Sequence, residues 1–207
     1  MKILLLILSG LAASALSASD YYVDFTATEP GTGTKEKPFA QFSRAAAKAG
    51  PGDTIYLVPK NSPVFQNGNL LIFNMAGTEE KPITVDGQMI TITGTRRALE
   101  PEWTGEGGGI WSKSMKTDDL RFFMIFDGKL ERMGRLSKWN RTPFKNKKEL
   151  TPFEWTLSNG VVSFRLPDGK TPADIGVEYP AASNGVSLAG NQTRNVVIKN
   201  IIARNFL

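Results

Sequence analysis

The sequence runs to 207 residues, with 25 basic and 20 acidic side chains, a formal net charge of +5, and neither cysteine nor histidine. That length supports one domain with a substantial core. The two missing residue types exclude a disulfide framework, a thiolate nucleophile, a serine–histidine hydrolase and a histidine zinc site within these residues.

The chain opens on Lys2, an apolar run over residues 3–8, and small residues through Ala18. This pattern is that of a secretory leader, and the apolar run is too short to span a bilayer. Ala13, Ala15, Ser17 and Ala18 offer cleavage positions between Ala15 and Ser19, and without cysteine there is no lipoprotein attachment site. Residues 1–18 therefore read as a signal peptide. The expected address is secreted, periplasmic or cell-surface, with no stable membrane span once the leader is removed.

Residues 20–25 predict a first strand and 26–37 a glycine-containing loop. The chain is organised around the stretch 33–58. Phe39, Phe42, Ala45, Ala46 and Ala49 recur at spacings of three and four, so they share one helical face. Pro38 suits a first helical turn, and Gly50-Pro51 supplies a stop. Residues 54–58 form a β-branched and aromatic run, a strand signal. A helix this small cannot bury its face alone and reads as a lid over the end of a stack of strands.

Residues 70–73 are apolar throughout and predict a strand buried on both sides. Residues 82–87 and 89–94 alternate in polarity, as do 185–190 and 195–206 late in the chain. Laying Ile83-Thr84-Val85-Asp86-Gly87 over Val196-Val197-Ile198-Lys199-Asn200 gives strand, polar corner, strand in both. Asn and Gly at such corners tolerate left-handed backbone geometry. Short strands punctuated this way suit a solenoid coil, and their spacing alone also suits an antiparallel sandwich.

Residues 96–180 differ in character. They hold all four tryptophans (Trp103, Trp111, Trp139, Trp155), the run Gly107-Gly108-Gly109 and two hairpin signals, Asp127-Gly128 and Asn159-Gly160. This segment is expected to be a small antiparallel insertion. Within it Arg132, Arg135, Lys138, Arg141, Lys145, Lys147 and Lys148 fall in 17 residues without an acid. Such a patch attracts polyanions, although a solvated surface loop accounts for the same residues.

Tyr21-Tyr22-Val23, Gly31-Thr32-Gly33-Thr34, Lys37-Pro38-Phe39 and Pro51-Gly52-Asp53-Thr54-Ile55-Tyr56-Leu57, in that order, resemble the opening of secreted right-handed parallel β-helix proteins of the pectin-lyase-like superfamily. Gly77-Thr78-Glu79-Glu80-Lys81-Pro82-Ile83-Thr84-Val85 is similar to the next phrase of that opening. The resemblance covers residues 21–87, and more loosely 195–206. Asn61-Ser62-Pro63-Val64-Phe65 departs from it where a Gly-x-Tyr turn is common. It implies an all-β, right-handed parallel β-helix with a capping helix. The organisation expected is a cap and first coils over 19–95, the antiparallel insertion over 96–180, and resumed coils over 181–207. Phe206-Leu207 follows an apolar strand without a polar cap, so the sequence reads as the N-terminal part of a longer protein.

The resemblance implies a carbohydrate-active protein and leaves the chemistry open. Lyases on this fold use Lys or Arg as base and Ca²⁺ held by carboxylates, whereas a glycosidase needs two carboxyl groups across the bond. Here Asp86, Asp127 and Asp168 precede glycine and take turn roles, and Asp53 is likewise structural. Asp118-Asp119 would point to opposite faces of a strand, a poor metal site. Glu100, Glu102 and Glu106 flank Trp103, for which core packing outweighs sugar stacking, as it does for Trp111. Gly105-Glu106-Gly107-Gly108-Gly109 lacks the strand-to-helix context of a phosphate loop.

No catalytic residue, metal site or cofactor is assigned within these residues; Ca²⁺ would enter with a longer, lyase-type protein. Arg135, Lys138, Trp139 and Arg141 are the candidate substrate-binding residues. The expected partner is a polysaccharide, acidic if the basic stretch binds it, and not a nucleic acid. The leading reading is an exported polysaccharide-degrading enzyme, a lyase or glycoside hydrolase. The alternative is a non-catalytic surface β-helix, an adhesin or glycan-binding module.

Overall fold

The structure is a computed structural model that describes residues 17–62, 64–66, 68–115, 122–131 and 145–206. Residues 1–16, on which most of the expected signal peptide falls, lie outside them, as do 116–121 and 132–144. The described residues are predominantly β.

The first part of the chain builds parallel strands. β1 (Asp20–Val23) precedes a short helix α1 (Phe42–Ala46), followed by β2 (Thr54–Leu57), β3 (Val64–Gln66), β4 (Leu70–Phe73) and the long bent β5 (Ile83–Thr93). Then come β6 (Thr95–Arg97), β7 (Thr104–Gly107), β8 (Ile110–Ser114), β9 (Met124–Phe126), β10 (Lys129–Glu131), β11 (Trp155–Ser158) and β12 (Val161–Arg165). Helix α2 (Pro172–Ile175), β13 (Glu178–Pro180), β14 (Val186–Ala189) and β15 (Val196–Arg204) complete the described chain.

β5 is the spine. β2 pairs with its first half and β3 with its second, β15 runs along its other edge, and β1 extends the sheet beyond β2. Every pair in this sheet is parallel, and β4 and β14 form a second parallel pair. Parallel pairing of strands this close in sequence rules out the antiparallel sandwich for this part of the chain.

Residues in register stack like on like, as in the row Tyr21, Ile55, Val85, Ile198. Val196 lies opposite Ile83 and Lys199 opposite Asp86, the alignment expected from the sequence. The bend in β5 falls at Gln88 and Met89 (φ 50° and 63°) and the matching bend in β15 at Asn200 (φ 57°), where the register shifts. Asn200 adopts positive φ, as its corner position predicted, while the β5 corner expected at Gly87 falls at Gln88 and Met89; Asn195 and Asn205 adopt positive φ as well.

At this corner Asn200 Nδ2 donates to Asp86 Oδ1 at 3.0 Å, the Gln88 N–H donates to the same oxygen, and Lys199 lies 3.4 Å from Oδ2. Burial works against the charge on Asp86. The hydrogen bonds from Asn200, Gln88 and Lys199 outweigh it and hold the carboxyl below its ordinary value.

Two expectations are corrected here. The helix begins at Phe42, not at Pro38, and Gln41 before it is extended. The reason is tertiary: the Phe39 N–H donates to Tyr22 O and its carbonyl accepts from Asp24 N, both at 2.8 Å, so β1 claims the backbone a longer helix would need. β4 is buried on one face only. Leu70 and Ile72 are inaccessible, while Leu71 and Phe73 are 47% and 56% exposed. The outward pair lines an apolar cleft of about 470 Å³ with Phe25, Phe42 and Phe65.

Two hydrophobic cores result. The first joins Val23, Phe39, Phe42 and Ala45 to Ile55, Leu57, Leu70, Ile72, Ile83, Val85, Ile90 and Ile92, so α1 does cover the strands. The second belongs to the antiparallel strands and centres on Trp103, Trp155, Phe126, Phe164 and Tyr179. Its two sheets have the orders β10-β9-β13-β6 and β11-β12-β8-β7. Both predicted hairpins form, with Asp127-Gly128 and Asn159-Gly160 in left-handed geometry at their turns. The segment leaves through β6 and returns through β13, which pair with each other, and Ala181 N donates to Gly94 O beside them.

Candidate functional site: a polar cleft on the antiparallel sheet

Arg135, Lys138, Trp139 and Arg141 lie outside the described residues, as does the Asp118-Asp119 pair. The described end of the same basic stretch, 145–148, crosses the outer face of the β11-β12-β8-β7 sheet. That face is built by alternation. Trp155, Leu157, Val162 and Phe164 point into the second core, so the intervening residues of β11 and β12 point the other way.

Among those intervening residues, Thr156 lies opposite Ser163, Ser163 opposite Ser112, and Ser112 opposite Thr104. Directly opposed residues share a face, so hydroxyls run in one row across four strands. Thr156, Ser163 and Ser112 are buried, and each is partnered. Ser112 and Ser163 share a 2.8 Å hydrogen bond between their Oγ atoms, and Thr156 Oγ1 donates to the Lys145 carbonyl at 2.9 Å.

Two ion pairs close the ends of the row. Lys145 Nζ donates to both oxygens of Glu154 at 2.7 Å, and Lys147 Nζ lies 2.5 Å from Glu106 Oε2. The bond from Lys147, joined by one from Ser112, outweighs burial and holds Glu106 below the ordinary glutamate value. Burial opposes the charge of Glu154, yet Lys145 and the Thr151 N–H carry it in the same downward direction. A single 3-10 turn, Lys147–Glu149, is fixed by a reciprocal cap between Asn146 and Glu149. Between this strap and β11–β12 lies a cleft of about 600 Å³, bordered by Lys145, Asn146, Lys147, Ser158, Val161 and Ser163.

Two of the acids singled out in the sequence, Asp53 and Glu102, serve structure. Asp53 accepts from Ser19 N at 2.7 Å and Gly50 N at 2.8 Å, tying the chain start to the turn before β2. Glu102 pairs with Lys113 and Arg96 and accepts from the Tyr179 hydroxyl at 3.1 Å. Led by the Lys113 hydrogen bond, these contacts hold Glu102 below its ordinary value. Trp103 is 2% exposed, packed 4.9 Å from Phe164 and 5.4 Å from Tyr179, and so is core rather than a sugar platform. Trp111 is half-buried against the same core. Among the described residues no three His, Cys, Asp or Glu side chains converge to hold a metal ion. Asp86, Glu102, Glu106, Glu154 and Asp174 are each held below their ordinary values, the opposite of the upward shift a general acid needs.

Neither Glu106 nor Glu154 was expected here, because they lie in other strands and loops. The hydroxyl row, by contrast, has a sequence signal: Thr156 lies between Trp155 and Leu157, Ser163 between Val162 and Phe164, and Ser112 and Ser114 alternate after Trp111.

No family model and no curated protein matches the chain. Its fold is shared by solved structures of carbohydrate-related proteins. One is described as the complex structure of XylC with xylose; it superimposes with a TM-score of 0.57 at 17% identity over 86% of this chain and 34% of that one. Another is described as a glycoside hydrolase, with a TM-score of 0.56 at 12% identity over 91% of this chain and 51% of that one. The chain thus spans about a third of the first structure and about half of the second.

Proposed function

We propose that this chain is the N-terminal part of an exported polysaccharide-degrading enzyme on a right-handed parallel β-helix scaffold, a glycoside hydrolase rather than a lyase. The observation that carries the reading is the shared fold with XylC in complex with xylose and with a glycoside hydrolase, over most of this chain. The parallel pairing along β5 and the left-handed asparagine corners favour the solenoid scaffold. The leader-like residues 1–18 favour export.

Asp53, Asp86, Glu102, Glu106 and Glu154 are spent on turns and ion pairs, so none of them is proposed as a catalytic carboxylate. The same fact favours a second reading, in which the protein is a glycan-binding module without catalysis.

The test is hydrolysis of xylan and an aryl xyloside by the full-length protein, alongside pectate and alginate with and without Ca²⁺. Release of reducing sugar from the neutral substrates is expected. Unsaturated uronate products would convert the reading to a Ca²⁺-assisted lyase. Glycan binding without turnover on any substrate would favour the binding module. N-terminal sequencing of protein recovered from the medium or periplasm checks export; a mature start between residues 16 and 19 is expected, and retention of Met1 would overturn it.

A further inference from the structure

Resting on the carbohydrate reading, we propose that the cleft between the 145–150 strap and the outer face of β11–β12 is a binding site for a neutral oligosaccharide. Its volume of about 600 Å³ falls within the roughly 300–1,000 Å³ of small-molecule sites. Its floor carries the hydroxyls of Thr156 and Ser163, where an ordinary sheet face would bury apolar side chains. Hydroxyls both donate and accept, which suits the hydroxyls of a sugar.

Hydrogen-bonding capacity remains unspent at the rim. Ser158 and Asn159 are exposed at the β11–β12 turn, and their side chains make no hydrogen bond among the described residues. Asn146 uses its Oδ1 on the Lys148 N–H, which leaves its Nδ2 hydrogens, and Lys145 retains one ammonium hydrogen beyond the two given to Glu154. Val161 supplies an apolar wall for the C–H face of a pyranose.

Charge selects the ligand class. From the sequence alone the 132–148 stretch points to a polyanion. At the cleft, however, Lys145 and Lys147 already face Glu154 and Glu106, so these four groups sum to no net charge. A uronate could reach the spare Lys145 hydrogen only by sitting beside the Glu154 and Glu106 carboxylates that already hold the lysines. A neutral sugar meets no such like charge and leaves both pairs intact.

The experiment is calorimetric titration of the protein with xylotriose, cellotriose and trigalacturonate. It is repeated on Ser158→Phe, which plugs the cleft from an exposed position, with circular dichroism to verify folding. Amide shift mapping on the unsubstituted protein supplies a readout independent of the variant. A neutral trisaccharide is expected to bind, to shift the amides of Ser158 and Val161, and to bind at least tenfold more weakly to the variant. Trigalacturonate is expected to bind more weakly than the neutral sugars.

Tighter, salt-sensitive trigalacturonate binding overturns the ligand class. An unchanged affinity in the folded variant, or shifts confined to other strands, overturns the location. No binding of either neutral sugar by a protein that hydrolyses xylan overturns the site while the proposed function stands. Neutral-sugar binding here without hydrolysis of any glycan overturns the enzyme reading and keeps the site.

Discussion

The Asp86–Asn200 corner offers a direct test of the parallel stack, because two separable effects meet at one residue. Asn200 holds φ at 57° and donates a 3.0 Å hydrogen bond to Asp86, whose side chain is 8% exposed. Asn200→Ala removes both the tolerance for left-handed geometry and the hydrogen bond. The backbone term is about 1–2 kcal/mol for a residue with an ordinary Cβ. The hydrogen bond contributes about 1 kcal/mol, at the ordinary rather than the charged-group end, because Gln88 and Lys199 still serve the carboxylate.

Asn200→Gly relieves the backbone and loses only the bond. The expected destabilisation is therefore about 2–3 kcal/mol for alanine and about 1 kcal/mol for glycine. For a chain of this size each kcal/mol lowers Tm by about 2–4 °C. Urea and thermal unfolding followed by far-UV circular dichroism measures both. Equal losses for the two variants would show that left-handed strain is not what the asparagine relieves. A loss below about 0.5 kcal/mol in both would show that the corner does not hold β5 and β15 in register.

The remaining predictions concern the antiparallel part. Glu102, Glu106 and Glu154 are all held below the ordinary glutamate value of 4.5. The stability their charged forms contribute is thus complete above that value and is lost as pH falls through the lower folded values. Acid unfolding should steepen below about pH 4.5 and be shallower in Glu106→Gln; identical acid profiles for the two proteins would refute the Lys147–Glu106 linkage. Lys113 behaves in the opposite sense. Burial opposes its charge, but hydrogen bonds to Glu102 and Tyr179 raise it above 10.5, so its contribution persists through neutral pH and fades only as pH rises through that higher value. Phe164→Ala empties a fully buried position 4.9 Å from Trp103 and 5.5 Å from Phe126, and should cost about 3–5 kcal/mol. Tryptophan fluorescence reads this loss; a shift in midpoint worth under 1 kcal/mol would place the second core elsewhere.

The candidate site was legible in the sequence only in part. The basic stretch was conspicuous because its cations are closely spaced, and its charge pointed to a polyanion. Folding brings Glu106 from β7 and Glu154 from the loop before β11 onto Lys147 and Lys145. A window of 17 residues without an acid says nothing of acids that arrive from outside the window. The hydroxyl row was within reach of the sequence, since alternation marks its face, but which strands align it is a matter of register.

Nearest neighbours along the chain set the backbone conformation of its corners and turns. Asn195, Asn200 and Asn205 turn corners, Asp127-Gly128 and Asn159-Gly160 close hairpins, and the period-two strands form where expected, because φ preference and pleat are local properties. Contests between a local tendency and a distant partner were settled by folding. Phe39 belongs to β1 through two 2.8 Å backbone bonds and not to the helix its spacing announced. Leu71 and Phe73 stay exposed in an apolar run, because β4 receives a covering layer on one face only. The physical reason is common to these cases: a dihedral preference is carried by a residue and its neighbours, whereas burial and ion pairing exist only once remote segments occupy the same space.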